Sequence, residues 1–186
     1  MTSPPRKTRR RFESSTQARY LTCSCYHQLP LFQNDRIKDL FAAHLLEVVT
    51  RSRFELMAWV IMPNHFHLLV RPASTDCRVP LLLQRIKGPF ARLILQRWRD
   101  LKAPILSRVR DSRGQLHFWQ AGGGHDRNIV SDYERIQKIK YIHANPVRAA
   151  LVCRVTEWRW SSAAAYAGVS EALIPLEHLR LRGPRE

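Results

Sequence analysis

The chain has 186 residues, of which 45% are hydrophobic, enough to build one domain with a substantial core. Lys and Arg total 31 against 15 Asp and Glu, which gives a formal net charge of +16. A charge of this size favours a polyanionic partner, so nucleic acid is the first candidate. The mean hydropathy is −0.34 and the apolar runs fall short of the roughly 18 residues of a membrane span, which excludes a membrane-embedded role.

The cysteines indicate the redox compartment, and the two ends of the chain indicate the domain boundaries. The four cysteines form no C-x-x-C pair, which favours free thiols in a reducing cytosol over a zinc ribbon or a disulfide scaffold. Residues 1–15 are basic and carry no apolar segment of a secretory signal. We expect either a disordered tail there or an arm that binds phosphates through Arg9, Arg10 and Arg11. One folded domain is expected over residues 16–167, followed by a C-terminal tail over residues 168–186.

The first half of the chain predicts a strand, a helix and a hairpin. Tyr20–Tyr26 is short and rich in Thr, Cys and Tyr, which is typical of a strand. Apolar residues recur at spacings of three and four over Asp35–Val48, which predicts an amphipathic helix. Phe54–Met62 and His65–Val70 are strand-like runs joined by Pro63-Asn64, so they should form the two arms of a hairpin.

The second half predicts a helix, a strand and another helix. Pro80–Arg99 has helical periodicity, and Gly88-Pro89 should kink or divide it. Leu116–Gln120 is the candidate fourth strand, and a helix over Asp132–His143 should stop at Asn145-Pro146. The order β-α-β-β-α-β-α predicts an α+β domain with a ferredoxin-like fold, in which a small antiparallel sheet has helices packed on one face.

The predicted long helix begins the densest basic stretch of the folded part. From Arg85 to Arg113 the chain has nine basic residues against two aspartates. This excess of one sign favours contact with nucleic acid over a merely solvated helix face. The helical residues that we expect to bind DNA are Arg85, Lys87, Arg92 and Arg97.

His65-Phe66-His67 is a candidate metal-binding pair. Alternate side chains of a strand share a face, so the two histidines project together while Phe66 points into the opposite, apolar layer. Two imidazoles at this spacing can bind one divalent cation, although a pair on one strand also occurs by coincidence. A metal site would need a third ligand and a reacting group.

Tyr141 is the candidate reacting group. It lies near the end of the last predicted helix, with Gln137 one turn before it and Asn145 one turn after it. A phenol becomes a nucleophile when a nearby metal polarises the phosphate that it attacks. The alternative is a half-buried aromatic residue that packs against the sheet.

Several motifs occur together in a fixed order. They are WVIMPNHFHLLV at 59–70, Lys87-Gly88, FWQ at 118–120, DRN at 126–128, YIHANPVRAALV at 141–152 and WRWSS at 158–162. Over roughly residues 17–167 the chain closely resembles the REP-associated tyrosine transposases, a group of the single-tyrosine HUH transposases. The resemblance implies a metal-dependent endonuclease and strand transferase that acts on single-stranded DNA near hairpins of repetitive extragenic palindromes.

The resemblance also implies roles for individual residues. His65 and His67 match the metal ligands, and Tyr141 matches the nucleophile that forms a 5′-phosphotyrosine link. The polar position one turn after the tyrosine falls on Asn145, the expected third ligand, with Gln137, His143 and His125 as substitutes. Imidazole, amide and water ligands suit Mg²⁺ or Mn²⁺ at a phosphate-transfer site.

Other motif residues admit two interpretations. Asp126 and Arg127 could form a buried ion pair that orients the last helix, or Arg127 could contact DNA. Trp158, Trp160 and Tyr166 could stack on unpaired bases, although core packing is the commoner role of such residues near the end of a domain. Gly122–Gly124 could let the backbone approach a phosphate or form a flexible loop.

Two other function classes use the same residues. One is a non-catalytic module that binds DNA or RNA hairpins and retains a relic active site. The other is a metal-dependent nuclease that activates water, which would not need Tyr141. The expected location is the bacterial cytoplasm, in association with the nucleoid, and the protein should act as a monomer or a homodimer.

Overall fold

A computed structural model describes residues 17–122, 124–174 and 176. Arg9, Arg10 and Arg11 of the predicted arm lie outside these residues. The strands are β1 (Ala18–Ser24), β2 (Phe54–Ile61), β3 (His65–Pro72) and β4 (His125–Ile129). The helices are α1 (Asp35–Arg51), α2 (Val79–Asp100), α3 (Asp132–Arg148) and α4 (Ala163–Tyr166), and short 3-10 helices occur at Tyr26–Gln28, Pro104–Ser107 and Val155–Glu157.

The four strands form one sheet in the order β2-β3-β1-β4, with every neighbouring pair antiparallel. This order and the chain order βαββαβ are those of a ferredoxin-like fold, so the predicted α+β class is confirmed. The hairpin of β2 and β3 and the helix α1 also occur where they were predicted. Asn34 begins α1 by accepting a hydrogen bond from the Arg36 N–H at 2.8 Å.

One face of the sheet packs against α1 and α2. Phe66, Leu68 and Val70 point from β3 into this main core, as the alternation of the strand predicted. Phe41 of α1 and Phe90 of α2 meet with ring centroids 4.8 Å apart. The aromatic rings bury a large apolar area and hold both helices against the sheet.

The opposite face of the sheet packs against α3. Ile142 of α3 is fully buried against Leu69 of β3 and Ile129 of β4 in a second, smaller core. The expectation of helices on one face therefore holds for α1 and α2, whereas α3 covers the other face. The polar residues of β1 and β3 on that face come to lie under α3.

The predicted fourth strand over 116–120 is wrong, because the fourth strand is β4 at 125–129. Phe118 and Trp119 are adjacent in the chain and both are buried. An edge strand alternates its side chains between two faces and would not direct both rings into one core. The predicted segment makes two isolated bridges instead, from Trp119 to Cys25 and from Leu116 to Arg110.

Both helices that contain an internal proline continue past it, so α2 is not divided at Gly88-Pro89 and the predicted stop of α3 at Asn145-Pro146 is wrong. Helix α2 is continuous across Pro89, and α3 continues across Pro146 to Arg148. Pro146 lacks the N–H that would pair with the Ile142 carbonyl. The Asn145 side chain compensates in part, since its Nδ2 donates to the carbonyls of Tyr141 and Ile142 at 2.7 and 3.5 Å.

The packed part of the chain extends beyond the predicted boundary at residue 167. Ile174 and Leu176 are buried in the main core. The Trp59 indole N–H donates to the Ile174 carbonyl at 3.3 Å. Among the described residues, no helix is long and apolar enough to cross a membrane.

The aromatic residues near the end of the domain have structural partners. The Trp158 and Trp160 indoles donate to the Ile61 carbonyl and to Asp39, each at 2.9 Å. The Tyr166 hydroxyl donates to the Met57 carbonyl at 2.7 Å. These contacts favour the core role over base stacking.

Candidate active site

His65 and His67 lie together on the face of β3 that α3 covers. Their Nε2 atoms are 3.1 Å apart. The ring centroids are 4.7 Å apart, with an interplanar angle of 72°. The strand alternation thus brings the two predicted ligand atoms to one point.

Neighbouring side chains hold both rings in this orientation. His65 Nδ1 is 2.7 Å from Asn64 Oδ1, which can only accept, so Nδ1 carries the proton and Nε2 has a free lone pair. His67 Nδ1 is 2.8 Å from both the Tyr20 hydroxyl and Thr22 Oγ1. Metal-binding histidines are usually oriented in this way through their second nitrogen. Two converging imidazole nitrogens suit a cation placed between them.

The surroundings keep both imidazoles neutral. Burial and, after it, the charge of the neighbouring His65 together lower the pKa of His67 to about 3. Burial also lowers the pKa of His65. Neutral imidazole is the form that coordinates a metal ion.

Tyr141 approaches this pair from α3. Its ring centroid lies 5.8 Å from that of His67 and 6.2 Å from that of Tyr20. The side chain is 37% exposed, so the residue is not an interior packing residue. Packing of α3 against the sheet therefore places an accessible phenol beside the two histidines.

Asn145 lies one turn after Tyr141 on the same side of α3. Its Nδ2 donates to the Tyr141 carbonyl, which leaves Oδ1 as the acceptor that faces the histidine pair. A hydrogen bond with Asn145 opposes the lowering of the His67 pKa, so the amide reaches the histidine pair. Among the described residues no three His, Cys, Asp or Glu side chains are grouped for a metal. Two imidazole nitrogens, an amide oxygen and water would suit Mg²⁺ or Mn²⁺.

The three substitutes for Asn145 differ in position. His143 is buried on another side of α3 and pairs with Ser162 Oγ at 2.8 Å, so it does not face the pair. Gln137 is exposed and lines the groove beside Tyr141. His125 lies in β4 opposite Thr22, and its ring centroid is 5.9 Å from that of Tyr20.

Two residues of β1 that were not predicted as site residues support the histidine pair. Tyr20 and Thr22 alternate on β1, and Thr22 lies opposite His67 in the β1–β3 register. The two-residue spacing was a signal for a shared face. No sequence pattern indicated the register that aligns them with the histidines, because register depends on how strands distant in the chain pair. Burial raises the pKa of Tyr20 to about 12, so its hydroxyl stays protonated.

The predicted DNA-binding residues of α2 lie across the sheet from Tyr141. Arg85, Arg92 and Arg97 are exposed there. Lys87 is half-buried, and its ammonium donates to the Gly122 carbonyl at 3.1 Å. The basic surface and the histidine site are therefore on different faces of the domain.

Asp126 and Arg127 do not pair with each other. Asp126 makes two hydrogen bonds with the Arg19 guanidinium, at 2.9 and 2.5 Å, between nearly buried side chains. Arg127 pairs with Glu134 of α3 at 2.6 Å. The first pair joins β4 to β1, and the second joins β4 to the helix that carries Tyr141.

Comparisons with known proteins agree with the motifs. A family model described as "Transposase IS200 like" matches residues 14–145. A REP-associated tyrosine transposase of Escherichia coli is 27% identical over 137 residues, which cover 72% of this chain and 68% of the relative. A Haemophilus influenzae protein assigned to the same group is 27% identical over 109 residues, covering 59% of this chain and 58% of the relative.

The fold agrees as well. A solved structure of a REP-associated tyrosine transposase bound to a REP hairpin matches with a TM-score of 0.63 and 18% identity, over 94% of this chain and 90% of that one. This match shows that the two proteins share a fold. The chain belongs to the family of IS200-like transposases, and its motifs and relatives group it with the REP-associated tyrosine transposases.

Proposed function

We propose that the protein cleaves and rejoins single-stranded DNA near palindromic hairpins, with Tyr141 as the nucleophile. The observation that carries this proposal is the convergence of the His65 and His67 Nε2 atoms beside the exposed Tyr141 phenol. A solved relative of the same fold is bound to a REP hairpin, which supports a hairpin as the partner of this chain.

The reaction is balanced without an external energy source. Tyr141 Oη attacks the scissile phosphorus, the bond from phosphorus to the 3′-oxygen breaks, and the 5′ end becomes linked to the tyrosine. The phenol proton passes to solvent and the departing 3′-oxygen takes one from solvent. Attack by another 3′-hydroxyl on the phosphotyrosine reverses these steps and joins a different strand.

The remaining side chains orient the reacting groups. Asn64, Tyr20 and Thr22 hold the imidazoles through Nδ1, and Asn145 offers an amide oxygen to the same point. A divalent ion bound by His65, His67 and Asn145 would polarise the scissile phosphate. All of these residues belong to one chain, which supports a site that a monomer can complete.

The basic surfaces supply the phosphate contacts. Arg85, Arg92 and Arg97 of α2 are exposed and suited to the backbone of a hairpin stem. Contacts of this kind position DNA without reading its sequence. Further proposed contacts with DNA are made by Lys87, Arg127 and the three arginines at positions 9–11. If the substrates are chromosomal palindromes, the protein acts at the nucleoid.

The experiment is a search for a covalent adduct. Labelled single-stranded hairpin oligonucleotides from the DNA flanking the gene are incubated with the protein and Mn²⁺ or Mg²⁺, and a denaturing gel detects protein-linked label. We expect an adduct that needs the metal, is lost in Tyr141→Phe and His65→Ala, and persists in Tyr133→Phe. Tyr133 is a matched control because it lies on the same helix and is 73% exposed.

Other outcomes would point to the other function classes. Cutting without an adduct that persists in Tyr141→Phe would indicate a nuclease that activates water. Tight binding without any cutting, on both strands and both hairpin flanks, would indicate a non-catalytic binding module.

A further inference from the structure

We propose that Lys138 and Arg148 form a phosphate clamp around Tyr141 that holds the non-bridging oxygens of the scissile phosphodiester. The proposal rests on the proposed function, because it assigns the groups that hold the substrate at the nucleophile. The clamp would hold the phosphate before attack and hold the phosphotyrosine diester while one 3′-hydroxyl leaves and another arrives.

Two cations lie against the ring of Tyr141. Lys138 Nζ is 5.0 Å from the Tyr141 ring centroid and 4.4 Å from that of Tyr20. Arg148 Cζ is 5.3 Å from the Tyr141 ring centroid. Aromatic faces attract cations at these distances, so both charges are held where the phenol is.

The positions follow from the helical repeat. Lys138, Tyr141, Asn145 and Arg148 are spaced by three, four and three residues, which places them in one stripe along α3. The candidate nucleophile and the candidate third ligand thus lie between two cations of the same helix. A phosphate bound at the histidines would lie beside both charges.

Neither cation has an ion-pair partner among the described residues, although the charge of Glu134 acts on Lys138 from one helical turn away. Among the described residues, no carboxylate lies within ion-pair distance of Lys138 or Arg148. The nearest acid along the stripe, Glu134, is paired with Arg127 and also accepts a hydrogen bond from the Val130 N–H at 3.0 Å. The clamp charges are therefore available to an anion.

The surface beside Tyr141 has room for that anion. An open groove of about 480 Å³ is lined by Lys138 and Tyr141, together with the paired Arg127 and Glu134, while Arg148 lies outside this lining. Lys138 is half-buried, so its charge is less screened by water than that of an exposed lysine. The groove opens to solvent, as entry of a DNA strand requires.

Lys140 provides a matched control within the same helix. It lines the same groove and is exposed, but its ammonium lies over neither ring. It is two residues from Lys138 and so about 200° around the helix. Lys140→Gln removes the same charge from α3 without touching the clamp.

The first test is the single-turnover rate of adduct formation at saturating DNA. We expect Lys138→Gln to lower the rate by about 100-fold, the size of effect seen when one preorganised donor is removed. Arg148→Gln should lower it by about tenfold, because this side chain is exposed. Lys138→Arg, which keeps the charge, should restore most of the rate, and Lys140→Gln, which removes a charge from the groove but not from the Tyr141 ring, should lower it far less than Lys138→Gln does.

A second test works without any cleavage. The protein contains five tyrosines, so ring-labelled protein gives a simple NMR spectrum in which Tyr141→Phe identifies the signal of interest. Titration with inorganic phosphate should shift the Tyr141 signal saturably in the wild type and in Lys140→Gln. The shift should be absent in Lys138→Gln and reduced in Arg148→Gln.

The two tests separate failure of the clamp from failure of the proposed function. If the wild type forms no adduct, the proposed function is wrong, and the phosphate titration still decides the clamp. If the wild type forms an adduct and Lys138→Gln matches Lys140→Gln in both rate and titration, the clamp is wrong. Thermal unfolding of each variant checks that a lost rate does not reflect a lost fold.

Discussion

Phe66 and His67 are neighbours on β3, yet they serve different purposes on opposite faces of the sheet. Phe66 is fully buried among the aromatic rings of the main core, with centroids 5.0 Å from Phe41 and 5.5 Å from Trp119. His67 is 4% exposed, but hydrogen bonds to Tyr20 and Thr22 hold it in place.

The two faces thus differ in how they satisfy buried groups. Apolar burial stabilises the face that packs against α1 and α2 in proportion to the area removed from water. The face under α3 has a smaller apolar core, and directional hydrogen bonds position its polar groups. In this sheet, side-chain alternation alone therefore separates the main apolar core from the candidate site.

The largest expected effect comes from exchanging these neighbours for alanine. Phe66→Ala removes a fully buried ring and should lower the free energy of unfolding by about 4 kcal/mol. His67→Ala should lower it by only about 1–2 kcal/mol, because a modest network of hydrogen bonds is lost. Guanidinium unfolding measures both values. Equal losses would mean that His67 is a core residue like its neighbour.

The backbone contact between β1 and β4 should be nearly as sensitive. Gly124 has φ +78°, and a Cβ at this position would lie 2.1 Å from the Thr22 carbonyl oxygen. Gly124→Ala must push β4 away from β1, so it should lower the free energy of unfolding by at least about 3 kcal/mol. Gly122→Ala is the control, since Gly122 has φ +94° but open space around it. Gly122→Ala should lower the free energy of unfolding by only about 1–2 kcal/mol.

A milder change tests the support of the histidine pair. Tyr20→Phe keeps the buried ring but removes the hydroxyl that contacts His67 Nδ1. If His67 binds a metal ion, Mn²⁺ affinity measured by calorimetry should fall about tenfold. Tyr166→Phe removes a hydroxyl that contacts the Met57 carbonyl and should leave Mn²⁺ affinity unchanged. Equal affinities in the two variants would remove Tyr20 from the site.

The smallest effect is expected on the face that carries α2. Arg92→Gln should weaken hairpin binding only a few-fold and reduce the slope of log affinity against log salt by about 1, as expected for one phosphate contact. Fluorescence anisotropy at several salt concentrations measures both quantities. An unchanged slope would mean that α2 does not contact DNA, and the hairpin would then be bound elsewhere on this basic protein.

Local patterns predicted much of the fold. The hairpin of β2 and β3 followed from two apolar runs around Pro63-Asn64, and α1 followed from its apolar spacing. The fourth strand was misplaced because the burial of Phe118 and Trp119 comes from the main core rather than from a strand pairing. The proline at 146 did not end α3, because packing of the helix and the Asn145 side chain offset the lost hydrogen bond.

Local patterns also predicted part of the candidate site. The alternation in β3 correctly placed His65 and His67 on one face, and the helical repeat placed Asn145 near Tyr141. His143 was a reasonable substitute by spacing, but it packs against Ser162. Lys138 and Arg148 could have been found from the same repeat as Asn145, since all three share a stripe with Tyr141.

The sequence by itself determined the order of elements, the strongly basic character of the chain, the family and the faces of individual strands and helices. These properties depend on composition, motifs and local periodicity, which are present in the chain whatever its fold. The tertiary structure decided which strand borders β1, which face α3 covers and which residues surround Tyr141. Strand register and helix docking are set by long-range packing of side chains that are distant in the chain, so no local pattern could have determined them.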